Sequence, residues 1–89
     1  MAKIYRTNGD VENVEPKNGT DFQLEELSSI VGGYIEVLYL DGKEMLVCDE
    51  EGKLKGYPLN VRATDIVRSC GISDCIVGDV LICDNNEIN

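Results

Sequence analysis

Residues 34–48, YIEVLYLDGKEMLVC, decide the fold, because this stretch is typical of a β-hairpin. Both halves are rich in β-branched and aromatic residues, and the Asp41-Gly42 pair between them favours a two-residue turn. Such a turn predicts a register that pairs Leu38 with Met45 and Val37 with Leu46. Apolar residues then occupy both faces, so we expect the hairpin to lie at the centre of a sheet or to present one face to a partner.

A first helix is predicted before the hairpin. Thr20 and Gln23 have the spacing of a capping box, in which each side chain bonds to the backbone amide of the other residue. The Gly32-Gly33 pair provides a left-handed end. Apolar residues between these signals fall on one helical face, at Leu24, Leu27 and Val31.

A second helix is predicted after the hairpin. Asn60 is a suitable N-cap, and Gly71 ends the segment. The apolar face consists of Ala63, Ile66, Val67 and Cys70, which recur at helical spacing.

Strands are expected at both ends of the chain. Asn8-Gly9 predicts a type I′ turn that joins a strand within residues 2–7 to one at residues 11–14. Residues 80–83 predict a last strand, and residues 84–89 a frayed tail. The sequence therefore predicts one α+β domain over residues 1–89, in the order β-β-α-β-β-α-β, with an antiparallel or mixed sheet and two packed helices.

The chain is strongly acidic, with 17 acidic and 8 basic residues and a formal net charge of −9. This charge opposes direct binding to nucleic acid, whose phosphates are bound by clustered Lys and Arg. The acidic residues are spread along the chain, which favours a solubility role or an acidic surface for a basic partner, including mimicry of DNA. No run of apolar residues is long enough to span a membrane, so we expect no membrane association.

The four cysteines, Cys48, Cys70, Cys75 and Cys83, favour free thiols in a reducing cytoplasm, because no export signal precedes them. Their spacings do not match the close pairs of zinc sites, although a cysteine-based metal-binding domain is an alternative. The sequence contains no histidine, which removes the commonest base for a nucleophilic cysteine or serine. We predict no catalytic residue, cofactor or metal site, and these observations favour a protein without enzymatic activity over a weak enzyme.

Two sets of residues are candidates for binding. Glu36 interrupts an apolar strand, and the corner at residues 57–64 precedes a helix N-terminus, where an anion or small molecule could bind. The simpler interpretation is a surface glutamate and a capped turn. The speculative ligand-binding set is therefore Glu36, Tyr57, Asn60, Arg62 and Thr64. The speculative interaction surface is Tyr34, Leu38 and Tyr39.

Four runs of the sequence together resemble the domain-of-unknown-function family numbered 3846. They are residues 31–36 (VGGYIE), 47–54 (VCDEEGKL), 58–64 (PLNVRAT) and 76–81 (IVGDVL). The resemblance implies a small bacterial protein carried by phages, plasmids and conjugative elements, and it implies no particular activity.

The leading hypothesis is an accessory protein of a mobile element that acts by binding another protein. A small-molecule or anion-binding module, or a weak enzyme, at the residue 57–64 corner is the alternative. Since the core of so short a chain is modest, a homodimer is also compatible with the sequence.

Overall fold

The computed structural model describes residues 2–88. It has five strands and two helices in the predicted order and belongs to the α+β class. The strands are β1 (Ala2–Tyr5), β2 (Val11–Val14), β3 (Ile35–Tyr39), β4 (Glu44–Asp49) and β5 (Val80–Asp84). The helices are α1 (Leu24–Val31) and α2 (Val61–Ser69), and a 3₁₀ turn follows at Asn85–Glu87.

All five strands belong to one antiparallel sheet, in the order β2-β1-β5-β4-β3. The last strand, β5, lies in the middle and joins the two hairpins. Consequently β4 is internal but β3 is an edge strand. Of the two alternatives for the residue 34–48 hairpin, a central position applies to β4 alone, because β5 pairs with only one of the two strands.

The register of the β3–β4 hairpin differs by one residue from the prediction. Val37 pairs with Val47 and Leu38 with Leu46. The amide of Leu40 donates to the carbonyl oxygen of Glu44 at 2.9 Å, so the loop has three residues rather than two. In a sheet, a register shift of one residue places the side chains of two formerly paired residues on opposite faces. Val37 and Leu46 therefore lie on opposite faces of the sheet.

The first hairpin is confirmed, but its turn is not of type I′. That type requires positive φ at both central residues, whereas Gly9 has φ +96° and Asn8 does not have a positive φ. The amide of Arg6 donates to Asp10 across the loop, and the amide of Gly9 donates to Arg6. The left-handed glycine is therefore at the end of a three-residue loop.

The two helices lie on opposite faces of the sheet, because neighbouring residues of a strand point in opposite directions. Leu81 packs with Leu27 and Val31 of α1. Ile82 packs with Ala63 and Val67 of α2. Each fully buried Leu or Val side chain contributes about 1.5–3 kcal/mol. The core is thus divided into an α1-side cluster and an α2-side cluster, separated by the sheet.

The beginning of α1 differs from the prediction. Gln23, not Thr20, is the N-cap, and its side chain makes no capping bond. The hydroxyl of Thr20 instead donates within the preceding loop, to Asn18 and Asp21. The reason is that Phe22 is held in a parallel bridge with Ile88 and is buried in the α1-side cluster. The predicted left-handed end at Gly32 is confirmed, with φ +98°.

Residues 84–88 have a more definite conformation than the predicted frayed tail; Asn89 lies outside the described residues. Asp84 ends β5 and begins a capping box with Glu87, whose carboxylate accepts from the Asp84 amide at 3.0 Å. Ile88 then packs against the α1-side cluster. Most residues of this segment are polar, so its sequence does not indicate the apolar contact of Ile88 that orders it.

Candidate functional site

The edge of β3 presents backbone groups that the sheet does not use. The amide of Leu40 bonds to Glu44, and the amide of Glu50 bonds to the carbonyl of Tyr34. In an antiparallel ladder such bonded positions alternate with positions whose amide and carbonyl point away from the neighbour. The outward-pointing residues are therefore Ile35, Val37 and Tyr39.

Two tyrosines flank this open edge. Tyr34 is 74% exposed and Tyr39 is 76% exposed. Leu38, the third residue of the predicted interaction surface, is half-buried against the α2-side cluster. We call Tyr34, Tyr39 and the backbone of β3 between them the β3 edge.

The opposite edge of the sheet, β2, has a different character. Its exposed positions include Glu12 and Asn13, and Pro16 lies just beyond the strand. The guanidinium of Arg6 bonds to Glu12, which lowers the pKa of that carboxylate. Charges and a nearby proline are common devices that keep edge strands from pairing. Each edge strand contains one charged residue, Glu12 in β2 and Glu36 in β3, but the other four residues of β3 are apolar or aromatic and no proline follows that strand closely.

A pocket of about 230 Å³ adjoins the β3 edge on the α2 side. Its apolar wall includes Leu38, Leu54 and Ile76, and its polar rim includes Glu36, Glu50, Lys53 and Asp74. The ammonium of Lys53 bonds to Asp74 at 2.7 Å, and both side chains are largely exposed. Leu54 is 87% exposed. We call this space the edge pocket.

Asp49, the last residue of β4, is the centre of a cluster with Lys55 and Tyr57. The Asp49 side chain is only 1% exposed. Its Oδ2 accepts from Nζ of Lys55 at 2.7 Å and from the hydroxyl of Tyr57 at 3.0 Å. Its Oδ1 accepts from the Glu51 amide at 2.8 Å. The Lys55 ammonium lies 5.7 Å from the centre of the Tyr57 ring, within cation–π range.

These bonds keep Asp49 ionised. Burial alone raises the pKa of its carboxyl, but the hydrogen bonds from Lys55, the Glu51 amide and Tyr57 outweigh burial and lower that pKa. The same bond to Asp49 raises the pKa of Lys55. Lys55 also donates to the carbonyl of Gly32 at 3.2 Å, so the cluster satisfies the C-terminus of α1.

Glycines make room for the Tyr57 ring. A methyl group on Gly78 would lie 2.6 Å from Cδ2 of Tyr57, and one on Gly32 would lie 2.8 Å from its hydroxyl. One on Gly52 would lie 3.3 Å from Cδ2. Residues from all four runs that carry the family resemblance thus meet around Tyr57 or next to it. The arrangement is saturated with internal bonds and has the character of a structural junction.

A cavity of about 340 Å³ lies beside Tyr57. Its lining includes Thr7, Gly32, Pro58 and Asp79. Asp79 already accepts from Arg6 at 2.8 Å and from the Thr7 amide at 3.0 Å. The one carboxylate that lines this cavity is therefore already bound within the chain.

The structure does not bring the five predicted ligand-binding residues together. Glu36 lines the edge pocket, whereas Tyr57 belongs to the Asp49 cluster. Arg62 is exposed on α2. Thr64 is buried, and its hydroxyl both donates to the carbonyl of Ile76 and accepts from its amide.

Asn60 has a structural role that the sequence predicted only in part. It is fully buried, and its Oδ1 accepts from the Ala63 amide at 3.1 Å, which confirms it as the cap of α2. Its Nδ2 donates at 2.8 Å to the carbonyls of both Tyr5 and Gly78. The α2 N-terminus is therefore a closed junction, not the open anion site that the residue 57–64 corner had suggested.

Sequence reasoning missed Asp49 and Lys55. Asp49 begins the run DEEG at residues 49–52, whose composition is typical of an exposed polar turn, yet it ends β4 and is buried. The available signal was its place directly after the apolar run at residues 45–48, where a carboxylate needs a partner. Nothing in the spacing of Lys55 identifies it as that partner.

The thiols do not assemble into one site. Cys48 lies in the α2-side cluster and Cys83 in the α1-side cluster, on opposite faces of the sheet. Burial raises the pKa of Cys48 to about 11 and that of Cys83 to about 12. Cys75 is exposed, and all four cysteines are free. Within residues 2–88, no three cysteine or carboxylate side chains are grouped closely enough to hold a metal ion.

The comparisons with known proteins give a family. None of the helices in residues 2–88 is long and apolar enough to cross a membrane. No curated protein and no solved structure matches the chain. Residues 4–89 match the family model described as Domain of unknown function (DUF3846). The match covers all of the chain except its first three residues. The chain belongs to the DUF3846 family.

Proposed function

We propose that this protein is an accessory protein that binds another protein by adding an extended segment of that partner to the β3 edge. The observation that supports the proposal is an open edge strand with an exposed tyrosine at each end. Strand addition uses the backbone groups of an edge for affinity and neighbouring side chains for specificity. Aromatic residues are also enriched at protein interfaces.

The contrast between the two edges favours a functional surface over an accident of folding. An undefended edge is a hazard for aggregation, and β2 shows the protective features that natural sheets use. In β3, the sequence IEVLY retains high β propensity and has no proline or lysine. A sheet that protects one edge and leaves the other open is consistent with a partner at the open edge.

The partner is a different protein rather than a second copy of this chain. Each chain carries a formal charge of −9, so two copies repel each other as they approach. A neutral or basic segment does not meet this repulsion. The family resemblance suggests that the partner is encoded by a bacterial host or by a mobile element.

A proline at position 37 tests the proposal. The amide of Val37 points away from β4, so proline removes a donor that the isolated sheet does not use, and proline is tolerated at such edge positions. Val37→Ala is the matched control, because it loses the same side chain but retains the amide. Both variants must first show wild-type circular dichroism and a cooperative unfolding transition.

Wild-type protein and the two variants would be immobilised and exposed to lysate of the native host, and retained proteins identified by mass spectrometry. We expect a partner that is retained by wild type and by Val37→Ala but is lost on Val37→Pro. A partner retained equally by all three would show that the β3 edge is not the contact. Comparing washes at low and high salt shows how much of the binding depends on charge, because salt screens exposed charges.

A further inference from the structure

We infer that the segment bound at the β3 edge carries a lysine or arginine whose side chain enters the edge pocket. This inference rests on the proposed function, since it describes the partner of the same edge. It adds a chemical requirement that pairing of backbones alone does not impose.

The position of the pocket follows from the alternation of a strand. In a strand added to β3, every second side chain points to the α2 side of the sheet. Glu36 and Leu38 point to that side and form the part of the edge pocket nearest the open edge. One side chain of the added strand is thus directed at the pocket mouth.

The pocket suits a long cation. Its wall includes Leu38 and Leu54, which provide apolar contact for a methylene stem, as lysine and arginine stems commonly find. Its rim carries Glu36, Glu50 and Asp74 against the single cation Lys53. Among residues 2–88, the Glu36 carboxylate has no ion-pair or hydrogen-bond partner, and the residue is exposed where it lines the pocket.

The size of the pocket and the state of its salt bridge support the same occupant. At about 230 Å³ it is smaller than the ~300–1,000 Å³ typical of small-molecule sites, which favours a single side chain. The Lys53–Asp74 pair is exposed, and such pairs contribute little to stability. An arriving cation can therefore share or replace Lys53 at Asp74 without disturbing the core.

The experiment is a selection from a library of random segments of about nine residues, long enough to span a typical strand. The segments are displayed on a carrier protein and selected on the wild-type chain. A synthetic peptide with the selected sequence, and the same peptide with its basic residue replaced by methionine, are then titrated by calorimetry. The proteins titrated are wild type, Glu36→Lys, Glu15→Lys and Val37→Pro.

We expect the selected segments to share one Lys or Arg among β-branched neighbours. Glu36→Lys should weaken binding of the basic peptide about tenfold and leave the methionine peptide nearly unchanged. Glu15→Lys changes the net charge equally at a residue that follows the far edge strand, so it should have little effect. Val37→Pro should abolish binding of both peptides.

The remaining outcomes separate the two claims. Selected segments without a basic residue, or equal weakening by the two lysine variants, would overturn the inference and leave edge pairing intact. Undiminished binding to Val37→Pro would overturn the proposed function. A library that yields no segment, or a wild-type dimer that Val37→Pro dissociates in sedimentation, would overturn both.

Discussion

Replacing Asn60 by aspartate separates two roles that one buried side chain performs. Aspartate is as good an N-cap as asparagine, so its oxygen can still accept from the Ala63 amide. The other end of the side chain changes from a donor to a carboxylate oxygen. That oxygen would face the carbonyls of Tyr5 and Gly78, which now accept from Nδ2 at 2.8 Å.

The expected losses follow from these bonds. Asn60→Ala removes a cap worth about 1 kcal/mol and two hydrogen bonds, one buried and one part-buried, worth about 1 kcal/mol each, for a total of roughly 3 kcal/mol. Asn60→Asp keeps the cap but adds a buried charge against two carbonyls, so it should lose at least as much at about pH 7. For a chain of 89 residues, the total free energy of unfolding is about 4–13 kcal/mol, so either loss is a large part of it.

Urea unfolding followed by circular dichroism measures both losses. With a slope of about 1 kcal/mol per molar urea, either variant should lower the midpoint by roughly 3 M. Burial raises the folded-state pKa of the introduced carboxyl group, so the loss caused by Asn60→Asp should shrink relative to that of Asn60→Ala as pH falls. An aspartate variant within about 0.5 kcal/mol of wild type would refute the reasoning and reduce Asn60 to a helix cap.

Three further outcomes are expected. In thermal unfolding, Gly78→Ala should destabilise the protein clearly more than Gly56→Ala. Both glycines have left-handed φ (+78° and +73°), but only a methyl group at position 78 would contact Tyr57. Equal losses of stability would contradict close packing of the Tyr57 ring against Gly78. The hydrogen bonds that lower the pKa of Asp49 in the folded state stabilise the protein. This contribution is complete above the pKa of the unfolded state, about 3.9, and is lost as the pH falls through the lower folded-state pKa. Asp49→Asn should therefore flatten the acid limb of the stability profile, and an unaltered limb would argue against the Lys55 bond. Maleimide should label Cys75 in the folded chain and leave the two buried thiols unmodified until urea is added, as mass spectrometry can verify.

Local signals predicted most of the elements but not how they pair. The second helix follows directly from Asn60 and Gly71 because capping is a property of a few adjacent residues. The loop after Leu40 was misjudged because an Asp-Gly pair fits both two- and three-residue hairpin loops. The choice between the two loops depends on how the strands pack in the sheet, where β4 also pairs with β5, a strand far away in the sequence.

The candidate surfaces were predictable to a similar extent. Tyr34 and Tyr39 were recognised as candidates from an apolar hairpin with two occupied faces, and the structure leaves both exposed. Glu36 was selected because it interrupts an apolar strand, and it is exposed beside a pocket. The partnership of Asp49 with Lys55 could not be foreseen, because it depends on how a loop folds back over the end of a strand.

The unequal edges of the sheet also limit the size of any assembly. A partner strand added at β3 would extend the hydrogen-bonded ladder to a sixth strand, whereas β2, with Glu12 and Asn13 exposed and Pro16 just beyond it, is less suited to a second addition. Growth by successive strand addition would then be disfavoured beyond this molecule. If a partner binds at β3, this protein would end a growing β-structure, and the complex would keep a fixed stoichiometry instead of polymerising.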